Sequence, residues 1–267
     1  MFEKNRYKQI FPANDQGRDF IVGDLHGCRA LLDAKLAEVG FDKTVDRLFC
    51  TGDLVDRGPD SEGCLELLLE PWFHSVLGNH DAMLMAWLYD GKQDDPRRHL
   101  YAGAFTENDG WQWAERFTRA AEFLPLLESL PFVIEVEDQF EIVHAELLDF
   151  LHNPEEPQAM YLGVADHFVA GFGNIGTWQD HLLWGRSIRL HMQTVEDRPS
   201  FSDALSLPVY CGHTICRKPM EYAGHRFLDT GAYGTGVLTM VESAAWDSVK
   251  GPAARATPQA SSMGERE

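Results

Sequence analysis

Residues 20–27 read FIVGDLHG: a short β-type run, Phe20-Ile21-Val22, that stops at Gly23 and delivers Asp24 and His26 into a tight turn closed by Gly27. The same pattern recurs twice downstream. Arg47-Leu48-Phe49-Cys50 runs into Gly52-Asp53-Leu54-Val55-Asp56-Arg57-Gly58, and His74-Ser75-Val76-Leu77 runs into Gly78-Asn79-His80-Asp81. Apolar runs of about four residues bounded by glycine are strands that end in turns. Two of the turns lead into helical spacing. Leu32, Leu36 and Val39 fall at i, i+4 and i+7 before Gly40, and Leu65, Leu68 and Leu69 follow Ser61 and stop at Pro71. A repeated strand–turn–helix unit predicts an α/β domain.

Farther along, Phe132–Val136 and Phe140–Val143 predict a hairpin turning near Asp138 and leading directly into His144. Pro208–Cys211 precedes Gly212-His213, Arg226–Leu228 precedes Asp229-Thr230-Gly231, and Gly236–Val241 closes the set, so at least one sheet is expected to be mixed. The aromatic-rich stretch from Trp87 to Leu130 reads as a helical layer whose rings pack the core. Residues 150–182 and 191–206 lack periodicity and predict long loops at the rim of a site. Residues 251–267 are Ala-, Ser- and Pro-rich and predict a disordered tail behind a single domain over residues 1–250.

Composition narrows the class. The 267 residues carry 23 Lys and Arg against 42 Asp and Glu, a net charge of −19, with no basic track for a nucleic-acid backbone. Five cysteines, at 28, 50, 64, 211 and 216, form no CxxC pair and predict reduced, buried thiols. No secretory h-region and no membrane-spanning run are present, so a cytoplasmic protein without a membrane partner is expected.

In an open α/β sheet, ligands gather beyond the carboxyl ends of the strands. The turns place Asp24, His26, Asp53, Asn79, His144 and His213 there. So many oxygen and imidazole donors in one crevice are costly without cations, and they suit two divalent ions sharing a carboxylate. GxxxxGK[ST] and a strand-linked GxGxxG are both absent. His74, His99, His152, His167, His181, His191 and His225 stand alone and read as structural or surface residues.

These motifs, GDLHG, GDLVDRG and GNHD with His144 and Gly212-His213 downstream, resemble the signatures of the phosphoprotein phosphatase family of metallophosphatases. Cys64-Leu65-Glu66-Leu67, Leu183-Trp184-Gly185-Arg186 and Leu228-Asp229-Thr230-Gly231-Ala232 are similar to its bacterial and bacteriophage lambda branch. The resemblance covers about residues 18–243. It implies a metallophosphoesterase-type αββα sandwich, with mixed sheets flanked by helices. It also implies one metal held by Asp24, His26 and Asp53 and a second by the bridging Asp53 with Asn79, His144 and His213. His80 would be the general acid oriented by Asp56, with Arg57 and Arg186 gripping the phosphoryl oxygens. An aspartate beside a histidine is expected to keep an imidazolium populated near neutrality, and guanidinium forks match phosphate oxygens.

Two departures are visible. Asp81 stands where the family usually has glutamate, and a capping or supporting role is expected for it. His144 is followed by Ala145-Glu146 rather than a glycine pair. The implied activity is hydrolysis of phosphoserine and phosphothreonine by a metal-bound hydroxide, with Mn²⁺ expected and Fe, Zn, Ni or Co also compatible with the donors. The partner is a phosphorylated protein or small phosphoester, and the sequence sets no oligomeric state, a monomer being one option. Symmetrical hydrolysis of dinucleoside tetraphosphates stands as the first rival, because such enzymes share the three motifs. Broad action on phosphotyrosine and small phosphomonoesters is the second. A scaffold that kept the fold without turnover, and a nucleic-acid phosphoesterase, fit less well, given the complete donor set and the acidic charge.

Overall fold

Alternation of apolar side chains along the strands sets the architecture. The computed structural model of the protein describes residues 1–2, 4–89, 96–147, 178–186, 188 and 205–249. The first half runs β1 (Lys8–Phe11), β2 (Asp19–Val22), α1 (Arg29–Glu38), β3 (Arg47–Cys50), α2 (Ser61–Leu65) with a 3₁₀ turn over Glu66–Leu69, β4 (Phe73–Ser75) and α3 (Asn79–Leu88). Then come α4 (Pro96–Glu107), α5 (Trp111–Ala114), α6 (Ala120–Ser129), β5 (Val133–Val136), β6 (Phe140–Val143) and α7 (Trp178–Trp184). The chain closes with β7 (Val209–Cys211), β8 (Met220–Tyr222), β9 (His225–Phe227), α8 (Ala232–Thr235), β10 (Met240–Glu242) and α9 (Trp246–Val249).

One sheet has the order β10-β2-β3-β4, with β10 antiparallel to β2 and the rest parallel. The other has the order β1-β5-β6-β7-β9-β8, antiparallel at β5–β6 and β8–β9 and parallel elsewhere. Ile21, Phe49 and Val241 of the first sheet meet Ile134, Val136, Phe140, Ile142 and Tyr210 of the second in one buried cluster. The Phe49 and Phe140 rings, 5.9 Å apart, bridge the two. Their strand neighbours Phe20, Val22, Leu48, Cys50, Val133, Val143, Val209 and Cys211 point the other way, into a second cluster with Leu32, Leu36 and Leu65 and with Leu182 and Leu183. A period of two therefore builds both the sheet–sheet core and the sheet–helix cores. All five cysteines are free, and four of them are buried.

The expected layered α/β fold with mixed sheets and the 132–143 hairpin are present, with Asp138 at positive φ in its turn. Four details differ. β1 and β8 are too short and polar to show alternation in the sequence, and they gain their pairing from β5 and β9. Residues 178–182, expected in a loop, begin α7 and are fixed by burial of Leu182 and Leu183. The helix after Ser61 tightens to three residues per turn, so Leu67 is buried and Leu69 is 51% exposed, where the spacing predicted Leu69 inward. β4 spans Phe73–Ser75 rather than residues 74–77. Most of residues 150–182 and 191–206, and the tail from 251, lie outside the described residues.

His74 in β4 lies between Phe11 and Phe49, with ring centroids 4.5 and 5.3 Å away. Burial, helped by Arg47, pushes its pKa down to about 4 from 6.5. The unfolded chain takes up a proton near pH 6.5 that the folded chain refuses until about pH 4. Stability therefore falls as pH drops through that window, by up to about 3 kcal/mol in total. Urea unfolding across this range should show that loss removed in His74→Phe, and equal slopes in both proteins would contradict the assignment.

Candidate functional site

The backbone brings three turns together before any side chain is considered. Leu25 and His26 N–H groups both donate to the Asp53 carbonyl, at 3.1 and 2.7 Å, and Gly27 N–H donates to the Leu54 carbonyl at 2.9 Å. The turn after β2 is thus bound to the turn after β3. Asp53 Oδ1 accepts from His80 N–H at 2.8 Å, which binds in the start of α3. Asp81, at the third position of α3, accepts from Gly78 N–H at 3.0 Å and from Leu54 N–H at 2.9 Å. It therefore caps its own helix and ties that helix to the second turn, matching the expected capping role. His26, Asp53, Asp56, Arg57 and His213 all have positive φ, between 41° and 71°. Each such residue stores of order 1–3 kcal/mol of strain, borne by the surrounding hydrogen bonds.

Gly212 shows how closely the groups approach. A Cβ there would lie 1.8 Å from Asp24 Oδ1 and 2.5 Å from Thr51 Oγ1. Asp24 is held by Thr51 Oγ1 at 2.8 Å and by His213 N–H at 2.9 Å. Burial pushes its carboxyl well above the usual range, with Asp229 and Asp53 adding repulsion. Burial does the same to Asp53, with Asp81 as the next contributor.

The histidines present lone pairs inward. His144 donates from Nδ1 to the Thr51 carbonyl at 2.8 Å, and burial pushes its pKa down to about 3. Its Nε2 is then an acceptor, yet it faces Asn79 Oδ1 at 2.8 Å and Asp53 Oδ1 at 3.5 Å. His26 likewise donates from Nδ1 to the Val55 carbonyl at 2.9 Å, leaving Nε2 3.4 Å from Asp53 Oδ2 and in contact with an Arg57 N–H at 2.8 Å. His213 Nδ1 lies 3.0 Å from Asn79 Oδ1, while its Nε2 is buried outside hydrogen-bond geometry with any described group. With the Asn79 amide in this orientation, the His144 Nε2 acceptor faces the Asn79 and Asp53 oxygens in a buried crevice. That arrangement is repulsive unless a cation lies among them, so the donor set fits divalent metal. Asp53 belongs to both triads whose ligand atoms converge within 4.8 Å, His26–Asp53–His80 and Asp24–Asp53–His144.

His80 has a different attachment. Its Nδ1 is 2.6 Å from Asp56 Oδ2, and Asp56 Oδ1 accepts from Trp113 Nε1–H at 2.7 Å. The expected orienting pair is present. Its expected charge is not favoured by the protein groups: burial and Arg57 push His80 well below its ordinary value, and burial raises Asp56 to about 7. Desolvation of both partners outweighs their attraction.

A cleft of about 290 Å³ is lined by Asp24, His26, Asp53, Arg57, Asn79, His80, Arg186 and His213, joined by Asn108, Trp184, Ile215 and Tyr233. Asp56 and His144 lie fully buried behind them. All ten residues singled out in the sequence are therefore at one place. Others were missed. Thr51 contacts both Asp24 and His144 and could have been found from its place before Gly52. Glu146 holds the Arg186 segment through Ile188 N–H at 2.8 Å, and its other oxygen lies 3.2 Å from His181 Nε2. Tyr233 lies under the Arg57 guanidinium at 4.9 Å. Trp113 lay in an aromatic run read as core, where nothing in the sequence sets it apart.

Residues 20–214 match the family model described as calcineurin-like phosphoesterase. The chain belongs to the calcineurin-like phosphoesterase family. It is 31% identical over 253 residues to serine/threonine-protein phosphatase 1 of Salmonella typhimurium, spanning 90% of this chain and 98% of that one. It is 36% identical over 128 residues to the symmetrical bis(5'-nucleosyl)-tetraphosphatase of Pectobacterium carotovorum, spanning 47% of this chain and 41% of that one. Its fold is similar to that of a protein serine/threonine phosphatase from Saccharomyces cerevisiae, with a TM-score of 0.53 and 18% identity over 87% of this chain and 74% of that one. Membership makes this phosphoesterase a divalent-metal enzyme. Among the described residues no helix is long and apolar enough to cross a membrane.

A methyl group at Gly212 meets the buried, hydrogen-bonded oxygens of Asp24 and Thr51, so it is accommodated only by displacing Asp24 from its partners, at a cost of about 1–3 kcal/mol. Gly212→Ala should lose about that much urea stability in chelator and bind Mn²⁺ at least about tenfold more weakly by calorimetry. Affinity within threefold of the parent would contradict the placement of Asp24 as a metal-facing group.

Proposed function

We propose that this phosphoesterase is a serine/threonine protein phosphatase that hydrolyses phosphomonoesters without a covalent phosphoenzyme. The observation that carries the proposal is the convergence of buried lone pairs on Asp53, beside two guanidinium groups and a histidine held by a carboxylate. On this reading Asp24, His26 and Asp53 hold one divalent ion, and Asp53, Asn79, His144 and His213 hold the second. His80, whose ring nitrogen also falls in the His26–Asp53–His80 group, is assigned to proton transfer rather than to the ligand set on the family resemblance and its Asp56 partner. Two divalent ions there supply Lewis acidity, drawing charge from the phosphoryl oxygens and acidifying water.

The chain's own groups do the rest. Arg57 and Arg186, both exposed on the cleft wall, grip the phosphoryl oxygens and neutralise their charge as water attacks phosphorus opposite the leaving oxygen. His80, with Nδ1 held against Asp56, acts in the protonated form that the carboxylate supports and burial opposes: it passes the Nε2 proton to the departing serine or threonine oxygen, which is too basic to leave as an alkoxide, and the proton shed by the attacking water restores that form. The similarity to a serine/threonine-protein phosphatase extends over 98% of that relative, whereas the similarity to a tetraphosphatase covers 41% of its length. That contrast favours phosphoprotein over dinucleotide. Mn²⁺ as the resident ion, a cytoplasmic location and a single domain over residues 1–250 belong to the same proposal.

Chelator-stripped protein should release phosphate from a phosphothreonine peptide only after Mn²⁺ is added, and His80→Asn should lower that rate by roughly 10²–10⁴. Turnover of diadenosine tetraphosphate alone would replace the substrate while keeping the site. Silence on the peptide, the dinucleotide and p-nitrophenyl phosphate would overturn the enzymatic assignment.

A further inference from the structure

Asp56 is fully buried, yet it hangs from a turn at φ 71° and its carboxylate has only two partners among the described side chains. One is His80. The other is Trp113, which comes from α5, 57 residues away, in a helical segment that contributes no metal-facing group and no phosphate-gripping arginine. An indole N–H can only donate, so Asp56 Oδ1 must accept it, and this fixes the rotation of the carboxylate about its Cβ–Cγ bond. With that rotation fixed, Oδ2 is aimed at His80 Nδ1. Removing the N–H leaves a buried oxygen without its donor and the carboxylate able to turn.

The indole itself has aromatic neighbours. Its ring packs on Phe117 at 5.5 Å, and Phe117 packs on the fully buried Phe123 at 5.8 Å. Trp113 and Phe117 also line an open groove of about 690 Å³ together with Pro59, Ser61 and Trp111. Ser61 also belongs to the same support, because its Oγ accepts the Asp56 N–H at 2.9 Å. The Asp56 turn is thus held by two hydrogen bonds, one from its backbone to Ser61 of α2 and one to its side chain from Trp113 of α5.

We infer that Trp113 is a positioning residue for proton delivery, acting through Asp56 on His80 and not on the metal donors. The inference rests on the proposed role of His80 as general acid, and it separates this indole from the neighbouring rings that only fill space. A positioning role has a kinetic signature. Protonation matters for a basic leaving group and hardly at all for p-nitrophenolate, so loss of the N–H should lower turnover selectively.

The test compares Trp113→Phe, which keeps a ring, with the parent chain in Mn²⁺. On the phosphothreonine peptide kcat should fall about 10–100-fold with KM unchanged, and on p-nitrophenyl phosphate kcat should stay within threefold. In the His80→Asn background the same substitution should have no further effect. Trp113→His, which restores a ring N–H, should recover part of the lost kcat, and it decides the matter alone if the phenylalanine variant does not fold. An equal loss on both substrates, or a full additional loss in His80→Asn, would overturn the inference in favour of a packing role. A readout independent of turnover is the far-downfield His80 Nδ1 proton, assigned by its absence in His80→Asn. It should be present in the parent and broadened by exchange in Trp113→Phe, and an unchanged resonance would also overturn the inference. If the parent turns over none of the substrates, the phosphatase assignment fails on its own, and the proton resonance still decides the role of Trp113.

Discussion

Asp53 is the constraint from which the rest of the site follows. Its carbonyl accepts two N–H groups from the first turn, its side chain accepts one from the third, and its backbone is held at φ 51° in consequence. Among the described residues no other links its own turn by hydrogen bonds to both of the other two. The price is a carboxylate buried beside another carboxylate, with burial and the neighbouring acids pushing both toward the neutral form. A protein keeps such an arrangement where a cation offsets it.

The fold places these turns rather than creating their chemistry. β2, β3 and β4 run parallel in adjacent positions, so three consecutive strand ends open on the same edge. β6 and β7, parallel in the facing sheet, deliver His144 and His213 to the same crevice. Packing of Ile21 and Phe49 against Ile142 and Tyr210 holds the two edges in register. Helices supply orientation: α3 begins at Asn79 and His80, α5 presents Trp113 to Asp56, and α7 leads into Arg186.

What was legible in the sequence followed from locality. Asp24, His26, Asp53, Asn79 and His80 sit within a few residues of a strand end and a glycine, and that placement needs no tertiary information. His144 and His213 were found the same way. Trp113 and Glu146 act across long separations, through one hydrogen bond to Asp56 and one from Ile188 N–H, and neither leaves a local pattern. β1 and β8 were invisible for a related reason, since an edge strand of three or four residues takes its conformation from its partner. The charge state of the Asp56–His80 pair also required the structure, because attraction is readable from residue types and desolvation is not.

The central claim is that one carboxylate serves two ions. Native mass spectrometry with calorimetry on the parent chain and Asp53→Asn, each stripped and then titrated with Mn²⁺, addresses it most directly. Sharing predicts two ions per chain in the parent and weakened binding of both in the variant. Retention of one ion at parental affinity in Asp53→Asn would contradict sharing and leave two independent sites.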